Sequence, residues 1–117
     1  MNSEWTIEIT DEARAWYESL PERSAHRFEA LLDELADKGP SLTRPTSDVV
    51  KGTNTPYTMY ELRTGTIRIL YVFDPRQTAV VLVGGDKSEH GFKAWYKPAI
   101  AEAKALYEEY LAETGQR

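Results

Sequence analysis

The chain has 117 residues, 41% of them hydrophobic and 28% charged, with 19 acidic against 14 basic side chains and no cysteine. That length and balance suit one soluble domain with its own core, residues 1–117, and argue against a disordered or fibrous chain. The missing cysteines exclude disulfides, thiol nucleophiles and zinc ribbons.

The opening Met1–Thr10 segment has no basic stretch followed by an apolar run, and nowhere do eighteen apolar residues stand together. A cytoplasmic protein, neither exported by a signal peptide nor membrane-spanning, is therefore expected. Trp5, Ile7 and Ile9 alternate with Glu4, Thr6 and Glu8, the period of a strand buried on one face. Thr10 is placed to cap a short helix with Asp11 and Glu12 in its first turn and Ala13, Trp16, Tyr17 and Leu20 along one stripe. Pro21 opens a second helix, whose stripe of Ala25, Phe28, Leu31, Leu32 and Leu35 ends at Gly39-Pro40.

Residues 40–57 are rich in Pro, Ser, Thr, Gly and Asn and predict a loop with a brief strand at Val49-Val50. Three β-rich runs follow, Thr58–Arg63, Thr66–Phe73 and Thr78–Val83, with Gly84-Gly85 expected to end the last. Ile100, Ala103, Tyr107, Tyr110 and Leu111 mark a final helix before Gly115. The order is β-α-α-β-β-β-α. It predicts an α+β fold, an antiparallel meander with a helical hairpin on one face and a C-terminal helix, leaving sheet surface free to bind.

Charge is unevenly spread. Four basic and ten acidic residues lie in 1–43, eight and five in 44–97, and two and four in the remainder. A basic middle of this kind is the part suited to phosphate contacts. A two-residue turn at Thr64-Gly65 pairs position 63 with 66 and 61 with 68, and puts Met59, Glu61, Arg63, Arg68, Leu70 and Val72 on one face. The opposite face, with Tyr60, Leu62, Ile67, Ile69, Tyr71 and Phe73, is the expected core. Arg63 and Arg68 then project together, within reach of one anionic ligand or of Glu61. Lys51 in the loop, and Lys87 with Lys93 after the last strand, converge on the same side.

The segment 84–98 also gathers Asp86, His90, Trp95 and Tyr96 at a strand end. Lys87 and Tyr96 are candidates for moving a proton at a ribose 2′-hydroxyl, His90 for the same role with less support, and Trp95 for stacking on a base. Trp95 and Tyr96 read equally well as core anchors of the final helix. Two histidines far apart give no metal-ligand spacing, and no cofactor motif occurs.

Tyr-Glu-Leu-Arg at 60–63, Ile-Arg-Ile-Leu-Tyr at 67–71, the apolar run Ala79–Lys87 and the aromatic helix start Trp95-Tyr96 together resemble the RelE/HigB branch of the RelE/ParE toxin superfamily, its phage-derived HigB-like members in particular. The resemblance spans nearly the whole chain. It implies a type II toxin that enters the ribosome and cleaves messenger RNA without metal or cofactor, the substrate's own 2′-hydroxyl attacking the adjacent phosphate. It also implies a cognate helix-turn-helix antitoxin as partner. Arg63 and Arg68 match the family's phosphate-contacting arginines, Lys87 the basic residue after the fourth strand, Tyr96 the tyrosine near the C-terminus and Lys51 its loop lysines. Two departures stand out: a pI of about 5.0, which implies weaker RNA binding, and the run Gly84–His90 where relatives carry a more basic segment. Two alternatives share the fold: a non-nuclease gyrase inhibitor of the ParE kind, and a remnant that only binds its antitoxin.

Overall fold

The computed structural model describes residues 4–89, 91 and 93–116. Its elements are β1 (Thr6–Ile9), α1 (Asp11–Glu18), α2 (Glu22–Lys38), a 3-10 turn at Gly39–Ser41, β2 (Ser47–Val49), β3 (Tyr60–Thr64), β4 (Ile67–Asp74), β5 (Thr78–Asp86) and α3 (Tyr96–Glu113). This is the predicted α+β order with one strand more: the brief strand expected at Val49-Val50 forms at Ser47–Val49 and joins the sheet as β2. Thr10 caps α1 as expected, its hydroxyl oxygen accepting from the Ala13 amide at 3.1 Å, and it also donates to the Leu82 carbonyl at 2.7 Å. The cap therefore fastens α1 to β5. Pro21 sits one place earlier than expected, as the residue before α2.

The strands form one sheet in the order β1-β5-β4-β3-β2. The meander is antiparallel throughout, whereas β1 runs parallel to β5, with Thr6 opposite Thr78 and Ile9 opposite Val81. No helix among the described residues is long and apolar enough to cross a membrane.

Both faces of the sheet are packed, which corrects the expectation of one open face. On one side Ala13, Phe28, Leu31 and Leu35 cover Leu62, Ile69, Tyr71, Ala79 and Val81. On the other, Ala99, Ala103, Leu106 and Tyr107 of α3 cover Met59, Leu70, Val72, Val80 and Leu82. The reason is in the strands: Met59, Leu70 and Val72 are apolar on the face that Glu61 and the arginines share, and their burial at roughly 25 cal/mol per Å² draws α3 across it. Truncating a fully buried residue such as Leu70 to Ala is expected to cost about 2–5 kcal/mol.

The last strand also runs further than predicted. Gly84 and Gly85 do not break β5; they pair with Ile69 and Arg68, and the strand continues to Asp86. A Cβ on Gly84 would stand 2.3 Å from the Trp16 ring, and one on Gly85 2.5 Å from the Trp95 indole nitrogen. The two glycines are where an indole from each helical layer closes on the sheet. Just before them the register shifts: Leu70 faces Val83 but Tyr71 faces Val81, so Leu82 is a bulged residue and joins Val83 in the core beneath α3.

Candidate functional site

The β3–β4 hairpin sets the candidate site. Its two-residue turn is Gly65-Thr66, one place later than predicted, because Gly65 at φ +58° takes the first central position. Arg63 is consequently opposite Arg68, and Glu61 opposite Leu70. The slip moves every pair by two residues, so the assignment of side chains to faces is unchanged.

Two arginines directly across a ladder repel one another. Glu61, only 6% exposed, offsets this: its Oε1 lies 3.6 Å from Arg68 Nε and its Oε2 3.6 Å from Arg63 Nε. Arg68 does not project. It is 5% exposed, and its Nη1 donates to the carbonyls of Gly65 and Ile67, each at 2.8 Å. The expectation of an outward phosphate contact is corrected at this residue. Arg68 braces the hairpin turn, because the carbonyls of a tight turn need donors and its side chain reaches them.

Arg63 is the member of the pair that faces outward, with a side chain about one-third exposed and a second ion pair to Asp48 at 3.6 Å. Asp48 also holds Arg44 at 3.0 Å. The amide of Val49, then Arg44 and Arg63, keep its carboxyl below the ordinary aspartate range. Arg63 is thus held between two carboxylates, neither of which excludes solvent from it.

Tyr96, the first residue of α3, completes the cluster. Its hydroxyl donates to Glu61 Oε1 at 2.7 Å and accepts from Arg68 Nε at 3.3 Å. Burial, and after it the Glu61 carboxylate, raise the phenol above its usual value despite the opposing arginine. At neutral pH the Tyr96 phenol is therefore protonated.

Lys87 follows β5 at the hairpin turn, its amide bonded to the Thr66 carbonyl at 3.0 Å. Beside it Asp86 is held low by the Ser88 hydroxyl and amide and by Thr66. Lys51 and Lys93 are exposed. Trp95 is 7% exposed, lies against Gly85 and meets the Tyr96 ring at 5.1 Å, so the base-stacking assignment is corrected: the indole is a core anchor. His90 lies outside the described residues. Among the described residues no three His, Asp or Glu side chains gather as a metal site.

Lys97 and Lys104, which sequence pattern alone did not single out, join Lys93 along an open groove between α3 and the loop at 52–54. Their signal was a spacing of seven, which puts two side chains on one face of a helix.

The chain matches the family model described as phage-derived protein Gp49-like (DUF891) over residues 15–108. Two proteins of Mycobacterium tuberculosis, named as candidate toxins, are similar to it. HigB2 is 32% identical over 93% of this chain and 55% of its own length, so the chain spans about half of that relative; HigB3 is 38% identical over 89% and 91%. The archaeal RelE of a RelE–RelB complex from Pyrococcus horikoshii OT3 superposes with a TM-score of 0.61 at 19% identity, covering 74% of this chain and 98% of that one. The toxin–antitoxin complex RelBE2 of Mycobacterium tuberculosis gives 0.57 at 21% identity, covering 71% and 98%. At these identities the two structures speak for the fold, while the family match and the HigB relatives carry the assignment. The chain belongs to the phage-derived Gp49-like family, with HigB toxins among its sequence relatives and a RelE-like fold.

Proposed function

We propose that the protein is the toxin of a type II toxin–antitoxin pair and acts in the cytoplasm as a ribosome-dependent messenger RNA endoribonuclease. The observation that carries this reading is the gathering of two arginines, part-exposed Arg63 and buried Arg68, and a protonated tyrosine on one carboxylate, Glu61. In the reaction the 2′-hydroxyl gives its proton to solvent and attacks the adjacent phosphorus, and the bond from phosphorus to the 5′-oxygen breaks. A 2′,3′-cyclic phosphate and a 5′-hydroxyl result. Arg63 exchanges its ion pairs for the phosphate and stabilises the charge that develops there, with Lys87 and Lys51 adding positive potential. Tyr96 donates the proton to the departing 5′-oxygen. Arg68 holds the turn and the tyrosine in place. The partner is an antitoxin, in line with structural neighbours solved as toxin–antitoxin complexes, and the sequence resemblance implies that it is of the helix-turn-helix kind.

Inducible expression followed by mapping of messenger RNA 5′ ends tests it. Growth arrest with cuts in codon register is the expected result, abolished by Arg63→Ala; the absence of both overturns it. One observation favours a second reading, an antitoxin-binding remnant: Glu61 and Asp48 already satisfy Arg63, and Arg68 is buried. Under that reading the antitoxin co-purifies and expression leaves growth unaffected.

A further inference from the structure

Resting on the reading above, we propose that the groove between α3 and the 52–54 loop holds the phosphate backbone of the RNA strand flanking the cut. The groove encloses about 440 Å³ and is lined by Lys93, Lys97 and Lys104, with no carboxylate among its described lining residues. Three of the chain's six lysines therefore meet in one trough of a protein with five more acidic than basic side chains. Lys97 and Lys104 stand two helical turns apart, about 10 Å along α3. Such a repeat suits successive charges of a polyanion better than one small anion.

The walls are built beforehand. Lys104 Nζ donates to the Thr53 carbonyl at 3.1 Å, which pins the loop against the helix, and an ammonium retains two further donors for a ligand. Ile100 and Ala101 supply a short apolar surface between the lysines, against which a ribose or base can lie. Tyr96 lines the groove and also belongs to the Glu61–Arg68 cluster. The groove thus begins where the proposed proton donor stands, and a strand leaving the scissile phosphate enters it without crossing acidic surface among the lining residues.

The test uses the full chain and a single-stranded RNA oligonucleotide of about a dozen nucleotides with 2′-O-methyl riboses, which removes the attacking hydroxyl. Binding is followed by fluorescence anisotropy between about 50 and 200 mM salt. The double variant Lys93→Ala with Lys97→Ala, both at exposed positions, is expected to weaken binding about tenfold and to lower the salt slope by about 1.4, roughly 0.7 for each phosphate no longer neutralised. Lys97→Arg keeps both quantities near the parent values, and circular dichroism checks that each variant is folded.

Equal affinity and slope for the parent and the double variant overturn the groove, as does a parent that binds no RNA. A lysine-dependent preference for poly-glutamate over the oligonucleotide also overturns it, in favour of an acidic protein segment. These outcomes are separate from those of the cleavage reading. Codon-periodic cuts with no effect of the double variant leave that reading standing and remove the groove, whereas lysine-dependent binding without any cuts does the reverse.

Discussion

The two ends of α3 are fastened to the sheet by the same device with different surroundings. At its first residue Tyr96 donates to buried Glu61 and accepts from Arg68; near its last turn Tyr110 donates to buried Asp74 at 2.6 Å and accepts from Arg76 at 3.4 Å. A tyrosine, a carboxylate and an arginine in contact are therefore a helix fastener in this molecule, and their meeting does not by itself mark a reaction centre. The neighbours differ. The Tyr96 end adds a second arginine, Arg63, and a groove lined by lysines, whereas the Tyr110 end borders a groove lined by Glu8, Asp11, Glu12, Glu109 and Glu113. At the second end exposed Arg76 stands among these carboxylates, so the first end is the better suited to a polyanion.

Exchanging matched residues between the ends breaks or sharpens that contrast. The largest effect is expected from the exposed arginines: Arg63→Ala lowers ribosome-dependent cleavage about 10²–10³-fold, while Arg76→Ala leaves the rate unchanged. Primer extension on ribosome-bound messenger RNA measures both. Loss of activity with Arg76→Ala would erase the distinction between the ends.

Next come the carboxylates. Glu61→Ala strips Arg68 of its buried counter-charge and is expected to cost about 3 kcal/mol in urea unfolding. Asp74→Ala leaves the Tyr110 hydroxyl and the Arg76 amide without their acceptor and costs about 2 kcal/mol. The tyrosines follow. Each Tyr→Phe change costs about 1 kcal/mol of stability, but only Tyr96→Phe slows cleavage, by about 10²-fold.

The smallest effect is in pH dependence. Tyr96 and Tyr110 are both raised, chiefly by burial and then by their carboxylates. Their neutral forms favour the fold, so this stability is fully present below the unfolded tyrosine value, about 10, and is lost as pH rises through the raised folded values. Tyr71 and Tyr107, pushed up to about 12 mainly by burial, extend the loss to that range. Absorbance titration near the tyrosinate band is expected to show no ionisation at Tyr96 below pH about 10, and the cleavage rate to show no alkaline decline attributable to it. A rate that rises with pH through the neutral range, in a step that Tyr96→Phe removes, would make Tyr96 a base and not a donor.

Much of this was legible in the sequence because it is local. Alternation in Tyr60–Thr64 and Ile67–Asp74 gave the hairpin and its faces, and the helical stripes gave α1 and α2. The failures share a cause: each depends on a partner distant in the chain. Gly84 and Gly85 look like breakers until Trp16 and Trp95 fill the space above and below them. Trp95 looks like a stacking platform until Gly85 receives it. The face with Arg63 and Arg68 looks open until α3, some thirty residues later, covers its apolar half. The parallel partner of β1 leaves no mark in the β1 sequence. Lys97 and Lys104 were readable from spacing alone, but a lone lysine on a helix carries little information until the loop that walls the groove is in place.

The tight seating of Trp95 against Gly85 gives the molecule an optical reporter beside its proposed proton donor. An indole buried against backbone and one ring away from Tyr96 changes its emission when the start of α3 shifts, while Trp16, lodged on the opposite side of the same strand, stays as an internal reference. With Trp5, the third indole, replaced by Phe, quenching of Trp95 and not Trp16 would tell a local rearrangement at the start of α3 from general loosening of the sheet, without any added label.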